Sequence, residues 1–90
     1  MLKVINLKSP SSGRAVPNQF QIEFNNELYL KSYDSIIAKI SLKTGEVSLD
    51  EKYWNFSNTT SKYRSQWLNE TTAETKQKIS KGTYKLKNLN

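Results

Sequence analysis

The sequence contains no cysteine and no histidine among its 90 residues. Without cysteine, neither a disulfide framework nor a thiolate metal site can form. Without histidine, the usual zinc sites and the Ser-His and Cys-His nucleophile pairs are absent, as is the side chain best suited to proton transfer near neutral pH. Any catalysis would depend on carboxylates, lysine, tyrosine or an unactivated hydroxyl group. The composition therefore favours binding over catalysis, and we assign no catalytic or metal-ligating residue.

Glycine is scarce, with three widely spaced residues, and no hydrophobic run is long enough for a signal peptide or a bilayer span. The spacing of the glycines excludes a phosphate-binding P-loop and a dinucleotide-binding fingerprint. With 36% apolar residues in a short chain, the core is thin. We expect a single cytoplasmic domain over residues 1–90, with no cofactor and no membrane contact.

Charge is unevenly distributed along the chain. Residues 1–22 carry +3, residues 23–51 carry −3 and residues 52–90 carry +6, which gives the net charge of +6. The basic final third is the part that could meet phosphate groups. Its candidate nucleic-acid contacts are Lys62, Arg64, Lys76, Lys78, Lys81, Lys85 and Lys87. The alternative is a solvated lysine surface, and the dominance of lysine over arginine (twelve to two) disfavours base-specific recognition.

Residues 19–33 show the alternation of a β-hairpin, with apolar side chains at every second position of its first strand. A two-residue turn at Asn25-Asn26 would place Ile22 opposite Tyr29. A three-residue turn would instead place Ile22 opposite Leu30, which keeps the apolar residues of both strands on one face. We expect the three-residue turn for that reason.

Residues 35–49 predict a second hairpin that turns at Thr44-Gly45. In this register Ile40 faces Leu49 across the two strands. The two hairpins together give an antiparallel meander of about four strands. Residues 2–7 are a possible additional strand at the N-terminus.

The pattern changes to helical after residue 50. The segment 57–60 consists of good N-cap residues, and residues 59–69 have the periodicity of an amphipathic helix. The predicted inward stripe of this helix is Tyr63, Trp67 and Leu68. Its predicted outward side chains are Lys62, Arg64, Ser65 and Gln66.

A second helix is indicated by Thr71 and Glu74, which are spaced as in a capping box. It is expected to run to about Ser80 and to stop at Gly82. The final residues are either a strand or an extended arm. The predicted fold is α+β, a β-meander with one or two short helices packed on one sheet face. The predicted segments are 1–18 (strand and loop), 19–50 (meander), 51–82 (helical part) and 83–90 (C-terminal arm).

Exposed aromatic side chains are the second candidate for a binding surface, because large rings dominate protein interfaces. The candidates are Tyr29, Tyr33, Trp54 and Trp67. The alternative is that these rings are structural parts of a small core. Acidic side chains of the sheet half could in principle bind Mg²⁺ or transfer protons, but nearby lysines favour solvated ion pairs.

Four strings, NQFQIEF, LKSYDSIIAKI, LDEKYWNFSNTTSKYRSQWLNE and ETKQKISKGTYKLKNLN, together resemble a family of small uncharacterised proteins. These proteins are encoded by bacteriophages and plasmids, mostly of low-GC Gram-positive bacteria. The resemblance covers roughly residues 18–90 and is most specific between Tyr53 and Arg64. At Asn55 and Phe56 this chain departs from the pattern, which has an acidic residue and a tyrosine there. The resemblance implies an accessory role in DNA metabolism or in interference with a host or defence protein, and it carries no site residues.

Three functions therefore remain as hypotheses. The first is a basic nucleic-acid-associated module, whose affinity falls steeply with salt. The second is an inhibitor of a host or defence protein, similar in action to an anti-CRISPR protein, which binds through an aromatic patch or a sheet edge. The third is an enzyme with carboxylate chemistry, which would require clustered acids in a cleft. The oligomeric state does not follow from the sequence.

Overall fold

Six strands and two helices make up the fold in a computed structural model that describes residues 2–90. The strands are β1 (Lys3–Lys8), β2 (Ala15–Phe24), β3 (Glu27–Ser32), β4 (Ser35–Ser41), β5 (Val47–Asp50) and β6 (Lys85–Lys87). The helices are α1 (Asn58–Leu68) and α2 (Thr72–Ser80). The predicted α+β class is confirmed, with six strands in place of the four expected.

All six strands lie side by side in the order in which they occur in the chain. Neighbours from β1 to β5 are antiparallel, so the predicted meander order is confirmed. The last strand, β6, lies parallel to β5. Parallel neighbours need a long crossover connection, and α1 and α2 supply it.

The turn between β2 and β3 has two residues, so the expected three-residue turn is wrong. Asn25 and Asn26 both adopt the left-handed backbone conformation, with φ of 52° and 60°. Two such residues form a type I′ turn, whose twist matches that of paired strands. Ile22 consequently lies opposite Tyr29, and Leu30 lies opposite Gln21. The apolar side chains of β2 and β3 therefore lie on opposite faces of the sheet.

A β-bulge interrupts the pairing of β3 with β4. Leu30 lies opposite Ala38, whereas the next residue, Lys31, lies opposite Ile36. The extra residue in β4 is Ile37, and its side chain is fully buried. The bulge shifts the alternation by one residue, so Ile37 joins the core instead of pointing away from it.

The register of β4 with β5 also differs from the prediction. Ile40 lies opposite Val47, and Leu49 lies opposite Ala38. The connection is longer than a tight Thr44-Gly45 turn, because the amide of Ser41 donates to the carbonyl oxygen of Glu46. Apolar residues still lie opposite one another on β4 and β5, but each partner is two positions away from the predicted one.

Both helices pack on one face of the sheet, which we call the covered face. The covered face bears the core residues Leu30, Ala38 and Leu49, which are fully buried. Trp67 Nε1 donates a hydrogen bond of 2.7 Å to Gln21 Oε1 and so attaches α1 to β2. Residues packed against this core are Leu7, Val47, Tyr53, Trp54, Trp67, Leu68 and Ile79.

The helix ends follow the predicted capping chemistry. Ser57 is the N-cap of α1, and its hydroxyl accepts from the amide of Thr60 at 3.1 Å. Thr71 and Glu74 form the complete capping box of α2. The chain leaves α2 at Gly82, which has a φ of 79°. Neither helix of the described chain is long and apolar enough to span a bilayer.

The last residues of the chain are docked on the sheet. Asp50 is buried at the end of β5, and its Oδ1 accepts from the amide of Leu89 at 2.8 Å. The side chain of Asn90 pairs with both backbone polar groups of Ile36, at 2.8 and 3.0 Å. These bonds hold β6 and the residues after it beside β4 and β5.

Candidate functional site

The second sheet face, which we call the open face, has no helix on it. One row of side chains crosses this face from strand to strand. Its members are Val4, Ile22, Tyr29, Lys39, Ser48 and Lys85, each opposite the next. The row is apolar on β1 and β2, aromatic on β3 and basic towards β6. The open face therefore has an apolar half and a basic half.

The apolar half of the open face forms a shallow depression of about 350 Å³. Its lining consists of Leu2, Ile22, Phe24, Tyr29 and Ile36. Leu2 and Phe24 are 63% and 42% exposed, which is high for large apolar side chains. Contiguous exposed apolar surface of this kind marks interaction sites on soluble domains.

Acidic side chains partly neutralise the basic half. Lys39 Nζ lies 3.2 Å from Glu27 Oε2, and Lys87 Nζ lies 3.6 Å from Glu46 Oε1. The hydroxyl of Tyr29 donates to Glu27 Oε1 at 2.9 Å. This hydrogen bond, followed by the contact with Lys39, holds the pKa of Glu27 below its ordinary range. Burial and the neighbouring Glu27 carboxylate raise the pKa of Tyr29.

The predicted nucleic-acid contacts do not form one surface. Lys62 is exposed on α1, whereas Lys76 and Lys81 are exposed on and just after α2. Lys85 and Lys87 alternate with Leu86, which pairs with the core residue Leu49, so both lysines lie on the open face. The two sets are thus separated by the sheet.

Arg64 is not on the surface, so the prediction that it faces solvent is wrong. Its side chain is 0% exposed. The guanidinium donates to the carbonyl oxygen of Trp54 at 2.8 Å, to Asn55 Oδ1 at 2.9 Å and to Thr72 Oγ1 at 2.8 Å. It also lies 5.0 Å from the centre of the Trp54 ring. Arg64 therefore joins α1, the loop before it and the start of α2.

Lys78, another predicted phosphate contact, belongs to a hydrogen-bonded cluster on the covered side. Its Nζ lies 2.9 Å from Glu70 Oε1. Glu70 also accepts from the hydroxyls of Tyr84 and Thr75. Burial alone would raise the pKa of Glu70, but these hydrogen bonds outweigh it and the pKa lies below its ordinary value. The ammonium group of Lys78 is thus paired with Glu70 of the same chain, although the Lys78 side chain is 42% exposed.

The aromatic interface candidates separate into two pairs. Trp54 and Trp67 are partly buried and pack against the core. Tyr29 lies in the depression on the open face. Tyr33 is 41% exposed and meets the ring of Phe56 edge-on, with 6.5 Å between the ring centres. Two of the four candidates therefore lie where a partner can reach them.

Sequence reasoning missed most of the depression. Leu2, Ile22, Phe24 and Ile36 were not proposed as site residues, because apolar alternation is read as burial. The available signal was Asn25-Asn26, since a type I′ turn forces the apolar sets of its two strands onto opposite faces. One short helical layer can cover only one of those faces.

No three acidic side chains within residues 2–90 converge into a group that could hold a metal ion. The described part of the chain thus presents two kinds of surface: the open sheet face, with its apolar depression and flanking lysines, and the lysine-bearing helices. These features define a small α+β domain with one uncovered sheet face.

Residues 3–84 match a protein family described as a family of unknown function (DUF8033). The match covers most of the sequence, and the chain belongs to this family. No functionally curated protein matches the sequence. No solved structure matches it either.

Proposed function

We propose that this chain is a non-enzymatic binding protein that docks a partner protein on its open face. The observation that carries the proposal is the apolar depression lined by Leu2, Ile22, Phe24, Tyr29 and Ile36. Water in contact with this lining is released when a partner covers it, which favours association. Tyr29 offers a large ring at the centre of the face, as is typical of binding hot spots.

The charges beside the depression specify the chemistry of the partner. Lys31 lies between Phe20 and Ile36 on the neighbouring strands, and Lys85 ends the row that begins at Val4. Neither lysine forms an ion pair with a residue of the described chain. Lys39 and Lys87 are only partly neutralised by single carboxylates. The matching surface is apolar at its centre and acidic at its rim, because complementary charges steer and orient association.

The biological setting is proposed from the sequence. The resemblance to phage- and plasmid-encoded proteins favours an accessory protein that acts in the cytoplasm of a bacterial host. An inhibitor that covers a functional surface of a host or defence protein needs no chemistry of its own. The absence of histidine and cysteine from the sequence agrees with such a role.

Affinity capture from a lysate of a low-GC Gram-positive bacterium, followed by titration calorimetry with the retained protein, tests this proposal. We expect a one-to-one complex that survives about 0.5 M salt, because apolar burial is not screened. The double substitution Leu2→Ser and Phe24→Ser should abolish it. Lys76→Gln, on α2, is the matched control and should leave it intact. Retention by the double variant, or equal loss with Lys76→Gln, would reject the open face as the site.

Nucleic-acid binding is the second candidate function. It is favoured by Lys62, Lys76, Lys81 and Lys85, which are exposed and form no ion pair with residues 2–90. Fluorescence anisotropy with labelled single- and double-stranded DNA and RNA tests it. Affinity should fall by roughly one log unit per log of salt for each phosphate contact. Changing Lys76, Lys81 and Lys85 together to glutamine should remove the binding, and absence of binding at low salt would exclude this function.

A further inference from the structure

Three exposed apolar side chains lie at the outer edge of β1, a strand that has only one neighbour. β1 lies at the end of the sheet and pairs with β2 alone. Leu2, Val4 and Ile5 are 63%, 56% and 41% exposed, and they lie on both faces of this edge. An edge strand presents unpaired backbone amide and carbonyl groups and is a template for pairing with another strand.

Only the first part of this edge is free. The pairing with β2 is regular over Lys3–Asn6 and shifts between Asn6 and Lys8. Beyond the shift, the carbonyl oxygen of Lys8 accepts from Gln66 Nε2 on α1 at 3.1 Å. The straight, uncovered segment is therefore residues 2–6, and Val4 is its midpoint.

Symmetry restricts how two copies of such a segment can pair. Hydrogen-bonded and non-hydrogen-bonded residue pairs alternate along an antiparallel ladder. In a symmetric dimer, a residue must be of the same kind, hydrogen-bonded or not, in both copies. The two-fold axis must therefore pass through a residue that lies opposite its own copy. The possible centres are Lys3, Val4 and Ile5.

Charge and geometry select among these centres. A centre at Lys3 would set two ammonium groups against each other, which is destabilising. A centre at Ile5 would extend the pairing into the irregular part of β1. A centre at Val4 uses the free segment alone and places Lys3 opposite the second copy's Ile5, where its methylene chain can pack on the apolar side chain.

We propose that a second copy of this chain binds along β1, antiparallel and with Val4 opposite Val4 on the two-fold axis. The two sheets then become one continuous sheet, with both open faces on the same side. Leu2 and Val4 of each copy lose water contact at the junction. The two apolar depressions lie side by side across it, so the dimer presents a doubled surface to a partner.

Disulfide trapping tests the register directly, because the chain has no other cysteine. In Val4→Cys the two new thiols lie on strands whose facing Cα atoms are about 4.5–5.5 Å apart, within the range of a disulfide. In Leu2→Cys, the matched control, the two positions are four residues apart along the strands, about 13 Å. We expect Val4→Cys to form covalent dimers in air at least about tenfold faster. Equal rates would overturn the proposal, since Leu2 is the more exposed position.

Sedimentation velocity of the unmodified chain over a range of concentrations provides the second measurement. We expect a reversible dimer, and we expect Val4→Lys to raise its dissociation constant by about tenfold or more, because like charges would then face each other. Val4→Thr keeps a β-branched strand residue and should dimerise like the wild type. A wild-type chain that stays monomeric at millimolar concentration would overturn the proposal, whatever the partner-capture experiment shows.

Discussion

At the residue scale, Arg64 shows how a cationic side chain can serve as a core element. Its planar guanidinium reaches three acceptors at 2.8–2.9 Å, two on the loop before α1 and one at the start of α2. Lysine could not replace this fork, because its ammonium is a single point of charge. α1 is held by these hydrogen bonds together with the packing of Tyr63 and Trp67.

Arg64→Ala should therefore lower the free energy of unfolding by about 3 kcal/mol, since it opens a cavity and removes three side-chain hydrogen bonds. Arg64→Lys should lose part of this stability. Lys62→Ala, two residues away on the exposed side of α1, should change stability by less than about 0.5 kcal/mol. Urea denaturation monitored by tryptophan fluorescence measures all three. If Arg64→Ala left the free energy of unfolding unchanged, Arg64 would not be the core element described above.

Glu70 is the basis of a second prediction at the residue scale, which concerns how the free energy of unfolding depends on pH. Its pKa in the folded protein lies below the ordinary value of 4.5. For a carboxyl whose folded pKa is depressed, the stabilisation is present above the unfolded value and is lost as the pH falls through the folded one. We expect the free energy of unfolding to fall more steeply between about pH 5 and pH 3 in the wild type than in Glu70→Gln. Parallel curves would show that the carboxylate carries no such stabilisation.

At the scale of elements, the strands show which local signals determine structure. The caps of both helices and the stop at Gly82 are confirmed, because capping depends on residues within four positions of one another. The predicted β2–β3 register is wrong because it follows apolar alignment and assumes one buried face. The predicted β4–β5 register is wrong because the connection is longer than a two-residue turn. The Asn25-Asn26 conformation determined the first register, and the bulge at Ile37 then placed Ile37 in the core and Ile36 on the open face.

At the scale of elements, the conformation of the β2–β3 turn predicts how substitutions of Asn26 change stability. Asn26→Gly should stabilise the protein by about 0.5 kcal/mol, because Asn-Gly is the preferred pair of a type I′ turn. Asn26→Ala should destabilise it by about 1 kcal/mol, because alanine pays a steric cost in the left-handed conformation. If the turn has two residues, thermal denaturation of the two variants should show shifts in Tm of opposite sign. Shifts of the same sign would contradict this conformation.

At the scale of the whole molecule, the fold is a single helical layer on one side of a six-stranded sheet. Such a layer leaves the apolar side chains of β1 and β2 in water. Leu2 and Phe24 are therefore exposed, whereas Leu30 and Leu49 are completely buried. The proposed docking of a partner on the open face would remove the cost of this exposure.

The open face should accordingly bind a hydrophobic dye such as ANS in the folded state at neutral pH. Leu2→Ser combined with Phe24→Ser should remove most of the fluorescence and change the free energy of unfolding by less than about 1 kcal/mol, because both side chains are already exposed. Dye titration and urea denaturation of the same samples measure both effects. Unchanged dye binding would place the apolar surface elsewhere.

The sequence by itself determined the α+β class, the order of the meander strands before the two helices, the helix caps and the absence of histidine and cysteine chemistry. Each of these depends on composition or on residues close in the chain. Only the tertiary structure decided that Arg64 is buried, that the lysines lie on opposite sides of the sheet and that Ile22 faces water. These features depend on which sheet face the helices cover, and that choice is made by contacts between residues far apart in the sequence.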